Sequence, residues 1–302
     1  MAALITTDFQ IPNNVAQGIF KKAQTGSALA QLSGARPQKF GQETNWILTS
    51  APKAEIVGEG GAKSPTPTTY APKLVKPVKL QVTMRFSQEV QWADEDVQMG
   101  VLQDLSENAG IALGRALDLI AIHKINPLTG TASDLVTEGL VDATQKAELS
   151  NDSTDIDHCD MAVEAAAGLV INAGYSPTGV AMDPALSFGL ATMRDTTGRR
   201  IYPELGYGTG VTNFEGMNAA VSDTVSAKNE AKTATHVLGI VGQFDAFRWG
   251  VQRSVSAHMI EYGDPDGLGD LQRANQIALR AEVVYGVGIM DLNAFAKIVE
   301  SA

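Results

Sequence analysis

The residues that could do chemistry are few, and none of them has the spacing of a conventional active site. The four histidines are scattered, without the HxxxH or HExxH spacing that brings two imidazoles to one metal ion. The single cysteine, Cys159, lies in a predicted helix, and we interpret it as a small buried apolar residue rather than a nucleophile. One cysteine also excludes an internal disulfide. These residues predict no metal, no cofactor and no nucleophilic enzyme.

Three loops resemble ligand-binding motifs only superficially. Residues 58–64 (GEGGAKS) place Ala62 directly before Lys63, where a phosphate-binding loop needs Gly, and proline-rich chain follows instead of a helix. Residues 206–210 (GYGTG) lack the third glycine of a dinucleotide-binding turn. Residues 263–270 (GDPDGLGD) carry three aspartates that do not match a calcium loop, so we interpret them as a solvated loop.

The composition is that of a folded protein with an uneven charge. The chain has 302 residues, 44% hydrophobic and 19% charged, which excludes a disordered chain or a coiled coil. Residues 1–92 contain ten basic and five acidic residues (+5), and the remainder contains 13 and 29 (−16), which together give −11. This asymmetry indicates that the first third binds acidic surfaces, either nucleic acid or neighbouring acidic subunits; a chance fluctuation is the alternative. The basic residues form no run and are not interleaved with aromatic residues, which argues against nucleic acid.

No apolar run reaches the ~18 residues that a membrane-spanning helix needs, so we expect no membrane partner.

The elements that position functional residues are clearest between residues 45 and 92. From Leu74 to Trp92 apolar residues occupy most even positions, which predicts a strand about 60 Å long at ~3.3 Å per residue. Pro72 and Pro77 require that this strand has a free edge. Residues 45–57 supply a second extended segment, and residues 58–67 cannot pack a core. The pair predicts a long two-stranded arm, which is marginal in water unless another molecule covers it. A lid within a monomer is the alternative.

The remaining chain predicts a mixture of helices and strands. Residues 93–125 predict the longest helix, because apolar residues recur at helical spacing, acidic residues open it and Asn126-Pro127 is placed to end it. Residues 1–45 predict a polar arm without a core of its own. The other expected elements are helices at 12–23, 154–173 and 184–194, a loop at 126–152, and strands at 180–182, 237–241, 247–251, 255–261 and 277–287. This irregular order favours an α+β fold.

The order of these parts resembles the major capsid proteins of tailed double-stranded DNA bacteriophages, the Hong Kong 97-like fold family. Three sets of residues carry the resemblance. The first, 54–60 (AEIVGEG) with 87–90 (SQEV), is similar to the family's E-loop. The second, 181–184 (AMDP) with 194–199 (RDTTGR) and 216–218 (GMN), is similar to its A-domain, and the third, 275–282 (NQIALRAE) with 291–297 (DLNAFAK), is similar to its P-domain.

The resemblance implies an α+β, Hong Kong 97-like capsid fold and a structural role. The implied segments are an N-terminal arm at 1–44, an E-loop β-hairpin at 45–90, a first part of the P-domain with a long spine helix at 91–150, an A-domain at 151–245 and a second part of the P-domain at 246–302. The implied function is to self-assemble into hexamers and pentamers of an icosahedral head shell, which encloses phage DNA without sequence-specific binding. The expected partners are further copies of the chain, a scaffold protein, a portal and a decoration protein. The expected location is the virion capsid, assembled in the host bacterial cytoplasm.

The resemblance also implies which residues act in assembly. The expected contacts follow the hairpin: Trp46, Glu59, Lys63, Tyr70, Lys73, Lys76, Lys79 and Arg85. Some family members crosslink themselves when an E-loop lysine attacks an asparagine of a neighbour's P-domain, aided by a glutamate; Lys63, Asn275 and Glu282 match those positions. The alternative is a solvated Lys63 and a Glu282 that only forms a salt bridge.

Two other functions stay open at this point. One is an encapsulin-type nanocompartment with the same fold, and the other is a soluble enzyme with a long β-lid.

Overall fold

The computed structural model describes residues 26–48, 52–66, 68–92, 95–149, 159–207 and 210–300. These residues form four α-helices and ten strands, which confirms the α+β prediction. The helices are α1 (Ala28–Leu32), α2 (Glu95–Asp118), α3 (Cys159–Asn172) and α4 (Pro184–Thr192). The strands are β1 (Glu43–Leu48), β2 (Tyr70–Ser87), β3 (Lys146–Leu149), β4 (Gly179–Met182), β5 (Asn213–Phe214), β6 (Met217–Val221), β7 (Val237–Gly242), β8 (Phe247–Ile260), β9 (Gln276–Ile289) and β10 (Phe295–Glu300).

The first sheet contains the predicted arm and has the strand order β1-β2-β9-β8. Strand β2 changes partner along its length, since residues 70–75 pair with β1 and residues 76–87 pair with β9 on the opposite edge. Each half of β2 therefore has one paired and one open edge. Pro72 and Pro77 lie in different halves, so each has the free edge that the sequence required.

The predicted alternation of β2 holds in only one half of the strand. After Pro77 the even residues face the core, as at Val78, which is buried. Before Pro77 the phase is reversed, because Val75 is fully buried whereas Leu74 is half exposed. The reversal coincides with the change of partner strand. The predicted C-terminal end of the strand is also wrong, since residues 88–92 form a 3-10 helix.

The long helix α2 confirms the prediction for residues 93–125, but it ends differently. A π-helical turn at Leu119–His123 continues it, and Lys124 closes it with a left-handed backbone (φ 60°). The side chain of Lys124 pairs with Asp142 at 2.7 Å. The expected end at Asn126-Pro127 is therefore two residues late.

The root of the N-terminal arm is part of the main core. Leu29 in α1 is fully buried in the same cluster as Leu113, Phe244 and Trp249. The indole nitrogen of Trp249 donates a hydrogen bond to the Ser33 carbonyl oxygen at 2.8 Å. The polar arm expected for residues 1–45 therefore includes a segment that the core holds. The helix predicted at 12–23 lies outside the described residues.

The second sheet has the order β3-β10-β7-β4-β6-β5. Strand β3 lies within residues 126–152, so the prediction of a loop there is wrong at this point. It pairs in parallel with β10, which comes from the far end of the chain. The sheet thus combines strands from three of the segments proposed above, whose boundaries stay predictions.

The other strand predictions hold with one change. Residues 180–182, 237–241 and 277–287 lie in β4, β7 and β9. The two strands expected at 247–251 and 255–261 are one strand, β8, with register shifts against β9 between Val251 and Ser256. None of the helices in the described part of the chain is long and apolar enough to cross a bilayer.

Candidate assembly surface

One face of the β1–β2 hairpin is apolar and uncovered. The pairs Thr44–Leu74, Trp46–Pro72 and Leu48–Tyr70 face each other directly across the two strands. Directly paired side chains at alternate positions share a face, so these six residues form one continuous surface. We call its apolar members, Trp46, Leu48, Tyr70, Pro72 and Leu74, the apolar hairpin face. Trp46 is 69% exposed and Tyr70 is 59% exposed.

Two members of this face were predicted as contacts and two were missed. Trp46 and Tyr70 were expected on the hairpin, and the structure places them on the same face. Leu74 was predicted only as the start of the alternating strand and was not named as a contact. Nothing in the sequence indicated that Leu48 lies on this face, because its position there depends on the register in which it pairs with Tyr70.

The opposite face of the hairpin is fastened to the body of the protein. Lys73 Nζ donates to both carboxylate oxygens of Glu138 at 2.9 Å. Arg248 Nη1 donates to the Asn45 side-chain oxygen at 2.7 Å. Lys73 was predicted as a contact with a neighbour, and in the protomer it holds the base of its own hairpin. These bonds set the direction in which the hairpin projects.

The hairpin tip carries Glu59 and Lys63. Both residues are exposed, and neither forms an ion pair with another described residue. The Gly61 amide donates to the Gly58 carbonyl at 3.0 Å, closing a turn. The Ser64 amide and hydroxyl donate to the Glu55 carboxylate at 3.1 and 3.3 Å. Internal hydrogen bonds therefore shape the tip, and no described residue pairs with the Lys63 ammonium.

Arg85, near the other end of β2, holds a loop of its own chain. Its guanidinium donates to the carboxylates of Asp264 and Asp266 and to the Gly269 carbonyl. These hydrogen bonds raise the pKa of Arg85, and the bond from Arg85 lowers the pKa of Asp266. Residues 263, 264 and 266–270 are exposed, as expected of a solvated loop, but the Arg85 guanidinium covers the Asp266 side chain, which is 19% exposed. Among the described residues, no cluster of acidic, histidine or cysteine side chains could hold a metal ion.

The remaining residues that were predicted to act in assembly or in the crosslink lie on or next to β9 and its partner strand β2. Lys76 is partly buried, and Lys79 pairs with Glu282 at 3.0 Å. Asn275 precedes β9 with a left-handed backbone, and its carbonyl accepts from the Gln88 amide at 2.8 Å. Asn275 and Glu282 are separated by seven residues of nearly continuous strand, or roughly 23 Å. One lysine therefore cannot contact both of these residues in the same protomer.

A buried carboxylate that the sequence analysis did not single out joins the arm to α2. Asp118 has no solvent exposure. It accepts hydrogen bonds from the Ser27 hydroxyl, the amides of Ala28 (2.8 Å) and Leu29 (3.2 Å), and the Thr224 hydroxyl (2.7 Å). Burial raises the pKa of Asp118, and the hydrogen bonds oppose that effect. The only sequence signal was a charged residue interrupting the apolar run of α2.

Comparison with known proteins gives a consistent set of similarities. The model of the phage capsid family matches residues 7–299. A solved structure from Mycobacterium phage Ogopogo is 49% identical, with a TM-score of 0.81, over 91% of this chain and 92% of that chain. One from Gordonia phage Cozz is 33% identical, with a TM-score of 0.78, over 91% of this chain and 87% of that chain.

A third solved structure shows the same fold at low identity. It comes from Mycobacterium phage Bobi, with 18% identity and a TM-score of 0.72 over 100% of this chain and 96% of that chain. No curated protein sequence matches the chain.

Proposed function

Because the chain belongs to the phage capsid family, with a Hong Kong 97-like fold, it is a major capsid protein of the head shell, and we propose that its apolar hairpin face is the surface by which neighbouring copies hold one another. A two-stranded ribbon is marginal in water by itself. Covering large apolar side chains contributes about 1.5–3 kcal/mol for each one fully buried. The single observation that carries this proposal is the exposure of Trp46 and Tyr70 on one face of a hairpin whose other face is occupied.

The finer description of the shell is also part of this proposal. The copies form hexamers and pentamers, and a scaffold protein, a portal and a decoration protein complete the head, which is assembled in the host bacterial cytoplasm. The acidic remainder of the chain, with −16 over residues 93–302, supports a container that encloses DNA without binding it, since like charges repel.

The test compares substitutions on the hairpin face with a matched substitution outside it. Trp46→Ser and Tyr70→Ser remove exposed aromatic side chains from the face, and Phe40→Ser removes one that is 74% exposed just before β1. We expect the two face variants to remain folded by circular dichroism but to lose shells in negative-stain microscopy and size exclusion. Phe40→Ser should assemble as the wild type does. Normal shells from the Trp46→Ser and Tyr70→Ser variants would refute the proposal.

A covalent crosslink at the hairpin tip is a second part of the proposed function. The Lys63 amine attacks the side-chain amide carbon of Asn275, an isopeptide bond forms, and ammonia leaves; a carboxylate accepts the lysine proton and returns one to the leaving group. Lys63 supports this step because it is exposed and pairs with no described residue, so its amine can attack once it has lost a proton. The distance along β9 requires Asn275 and the Glu282 that assists to come from different protomers.

The crosslink has a direct readout on a denaturing gel. Assembled particles should show a ladder of multimers that Lys63→Arg and Asn275→Asp both abolish while shells persist. A single monomer band from wild-type shells would rule out the crosslink, and the hairpin contact would be unaffected by that result.

A further inference from the structure

A polar cleft beside Asn275 contains a carboxylate that no function has yet been given, that of Glu261. We propose that Glu261 accepts the lysine proton in the crosslink and acts on Asn275 of its own protomer. This inference rests on the proposed function, because it requires Lys63 of a neighbouring copy to reach the cleft. The family resemblance implied Glu282 for this step, and that residue would have to come from another protomer.

The cleft lies where β8 ends and β9 begins. Its volume is about 200 Å³, and its lining includes Glu261, Tyr262, Gln272 and Asn275. A water molecule takes up about 30 Å³, so the cleft has room for the end of a lysine side chain. It opens to solvent, because Tyr262, Gln272 and Asn275 are exposed. A lysine from a neighbouring copy can therefore enter it.

The register of the sheet brings Glu261 and Asn275 to the same place. Ile260, the last residue of β8, pairs with Ala278 of β9. Continuing this antiparallel register by one residue puts Glu261 opposite Ile277, and Asn275 is then its diagonal neighbour. Diagonal neighbours in a sheet lie roughly 7–8 Å apart, which is within reach of a long side chain. The carboxylate and the amide thus share one cleft of one protomer.

Both side chains are available for the reaction. The backbone of Asn275 is fixed, since its amide donates to the Gln272 carbonyl at 3.2 Å and its carbonyl accepts from the Gln88 amide at 2.8 Å. No described residue forms a hydrogen bond with the Asn275 side chain or an ion pair with Glu261. The acyl group is therefore held in place by the backbone, while its side-chain amide is open to attack.

Glu282 is less suited to the same step. It pairs with Lys79 at 3.0 Å, and its side chain is only 18% exposed. A carboxylate that is paired with a lysine of its own chain is a poorer proton acceptor, because the paired cation stabilises its charged form. Glu261 is therefore both the nearer carboxylate to Asn275 and the one without a competing cation.

The step balances with Glu261 as the only acid–base group. The Glu261 carboxylate takes a proton from the Lys63 ammonium, and the amine attacks the side-chain carbonyl carbon of Asn275. Glu261 returns the proton to Asn275 Nδ2, so the carbon–Nδ2 bond breaks and ammonia leaves as the bond to Lys63 Nζ forms. The second proton that Lys63 Nζ loses passes to solvent through Glu261. Two protomers suffice, whereas Glu282 would require a third.

The first test compares single glutamate-to-glutamine substitutions in assembled shells on a denaturing gel. Glu261→Gln removes the proposed proton acceptor, Glu282→Gln removes the alternative, and Glu89→Gln is a control at an exposed glutamate next to Gln88, which also lines the cleft. Loss of a general acid–base group slows a reaction about 100- to 10,000-fold. We expect Glu261→Gln shells to form multimers at least about 100-fold more slowly than the wild type. The other two variants should form them at the wild-type rate.

The second test asks which copy must carry Glu261. In two mixed shells, one copy has Lys63→Arg and supplies only Asn275, and the other has Asn275→Asp and supplies only Lys63. Crosslinked dimers should form when Glu261→Gln is on the copy that supplies Lys63. They should be lost when the same substitution is on the copy that supplies Asn275. Equal amounts of dimer in the two mixtures would overturn the inference.

A third measurement separates proton transfer from a structural role. Glu261→Ala leaves space in the cleft for a small carboxylate, so sodium formate should restore multimers in these shells, and sodium chloride at the same concentration should not. Restoration by formate supports proton transfer. Multimers that are lost in Glu261→Ala and stay lost in formate would limit Glu261 to shaping the cleft and would overturn the inference.

The outcomes also distinguish this inference from the crosslink on which it rests. Wild-type multimers in Glu261→Gln shells would overturn the role of Glu261 and leave the crosslink standing. Loss of multimers in Glu282→Gln but not in Glu261→Gln would assign the step to a third protomer. A single monomer band from wild-type shells would overturn the crosslink itself, and the role of Glu261 with it.

Discussion

Replacing the buried carboxylate of Asp118 should detach the root of the N-terminal arm from the body of the protein. In Asp118→Ala, four donors lose their acceptor: two hydroxyls, of Ser27 and Thr224, and the amides of Ala28 and Leu29. The hydroxyls can rotate toward other acceptors, but the two amides are fixed by the backbone.

The size of the effect follows from those two amides. An unsatisfied buried donor costs about 1–3 kcal/mol, so the two amides together cost roughly 2–6 kcal/mol. Removing a desolvated carboxylate returns part of that cost, and we expect a net loss of about 3 kcal/mol in the free energy of unfolding. Asp118→Asn keeps an oxygen for the amides, and its loss should be about 1 kcal/mol.

The assay is urea unfolding of the unassembled protein, combined with amide hydrogen exchange. The Ala28 and Leu29 amides should exchange faster in Asp118→Ala than in Asp118→Asn. A loss below about 0.5 kcal/mol in Asp118→Ala, which is the usual range for surface substitutions, would refute the reasoning. Equal losses in the two variants would show that the charge matters and the hydrogen bonds do not.

The difference in unfolding free energy between the wild type and Asp118→Asn should change with pH in a definite direction. Burial raises the pKa of Asp118 above its ordinary value of 3.8. A raised folded-state pKa contributes stability that is fully present below pH 3.8 and is lost as the pH rises through the folded-state pKa. Asp118→Asn lacks this dependence, so its deficit relative to the wild type should shrink as the pH is raised from 4 to 8.

Three further predictions concern other buried or crowded positions. Burial lowers the pKa of His123 below 6.5, so the contribution of His123 to stability is present above that pH and is lost as the pH falls. In His123→Phe the free energy of unfolding should therefore vary less between pH 5 and 7 than it does in the wild type. Hydrogen bonding to Arg115 lowers the pKa of Asp223 below 3.8, so Arg115→Met should raise the midpoint of acid unfolding, and an unchanged midpoint would contradict this. In Gly250→Ala, the new Cβ would lie 2.0 Å from the Arg36 carbonyl oxygen, so thermal unfolding should begin at lower temperature.

Local periodicity and turn chemistry allowed most elements to be predicted. The long helix α2 follows from apolar residues at helical spacing, and β4, β7 and β9 follow from short apolar runs. Helix α4 follows from Pro184 in its first turn, and the structure adds Asp183 as its cap. These signals act between residues a few positions apart, which is why they are visible without the fold. Their order along the chain sufficed to indicate the capsid family.

The buried face of strand β2 could not be predicted from the local sequence pattern. Alternation places neighbouring side chains on opposite faces, but which face is covered depends on the partner strand. Between Val75 and Lys76 the partner changes from β1 to β9, and the buried phase changes between Val75 and Val78. Leu74 therefore lies on the exposed apolar hairpin face, whereas Val78, which is also at an even position, is buried.

The sequence by itself determined the fold class, the spine helix and the kinship with phage capsids, because those depend on local patterns and on their order along the chain. The two-stranded arm is shorter than predicted, since β1 pairs with β2 only over residues 70–75 and the rest of β2 pairs with β9. Only the tertiary structure decided which groups meet across long separations. Asp118 lies 91 residues from Ser27, and Arg85 lies 181 residues from Asp266. Hydrogen bonds and ion pairs form between atoms a few ångströms apart, and only the packing of the folded chain brings such distant residues to that distance.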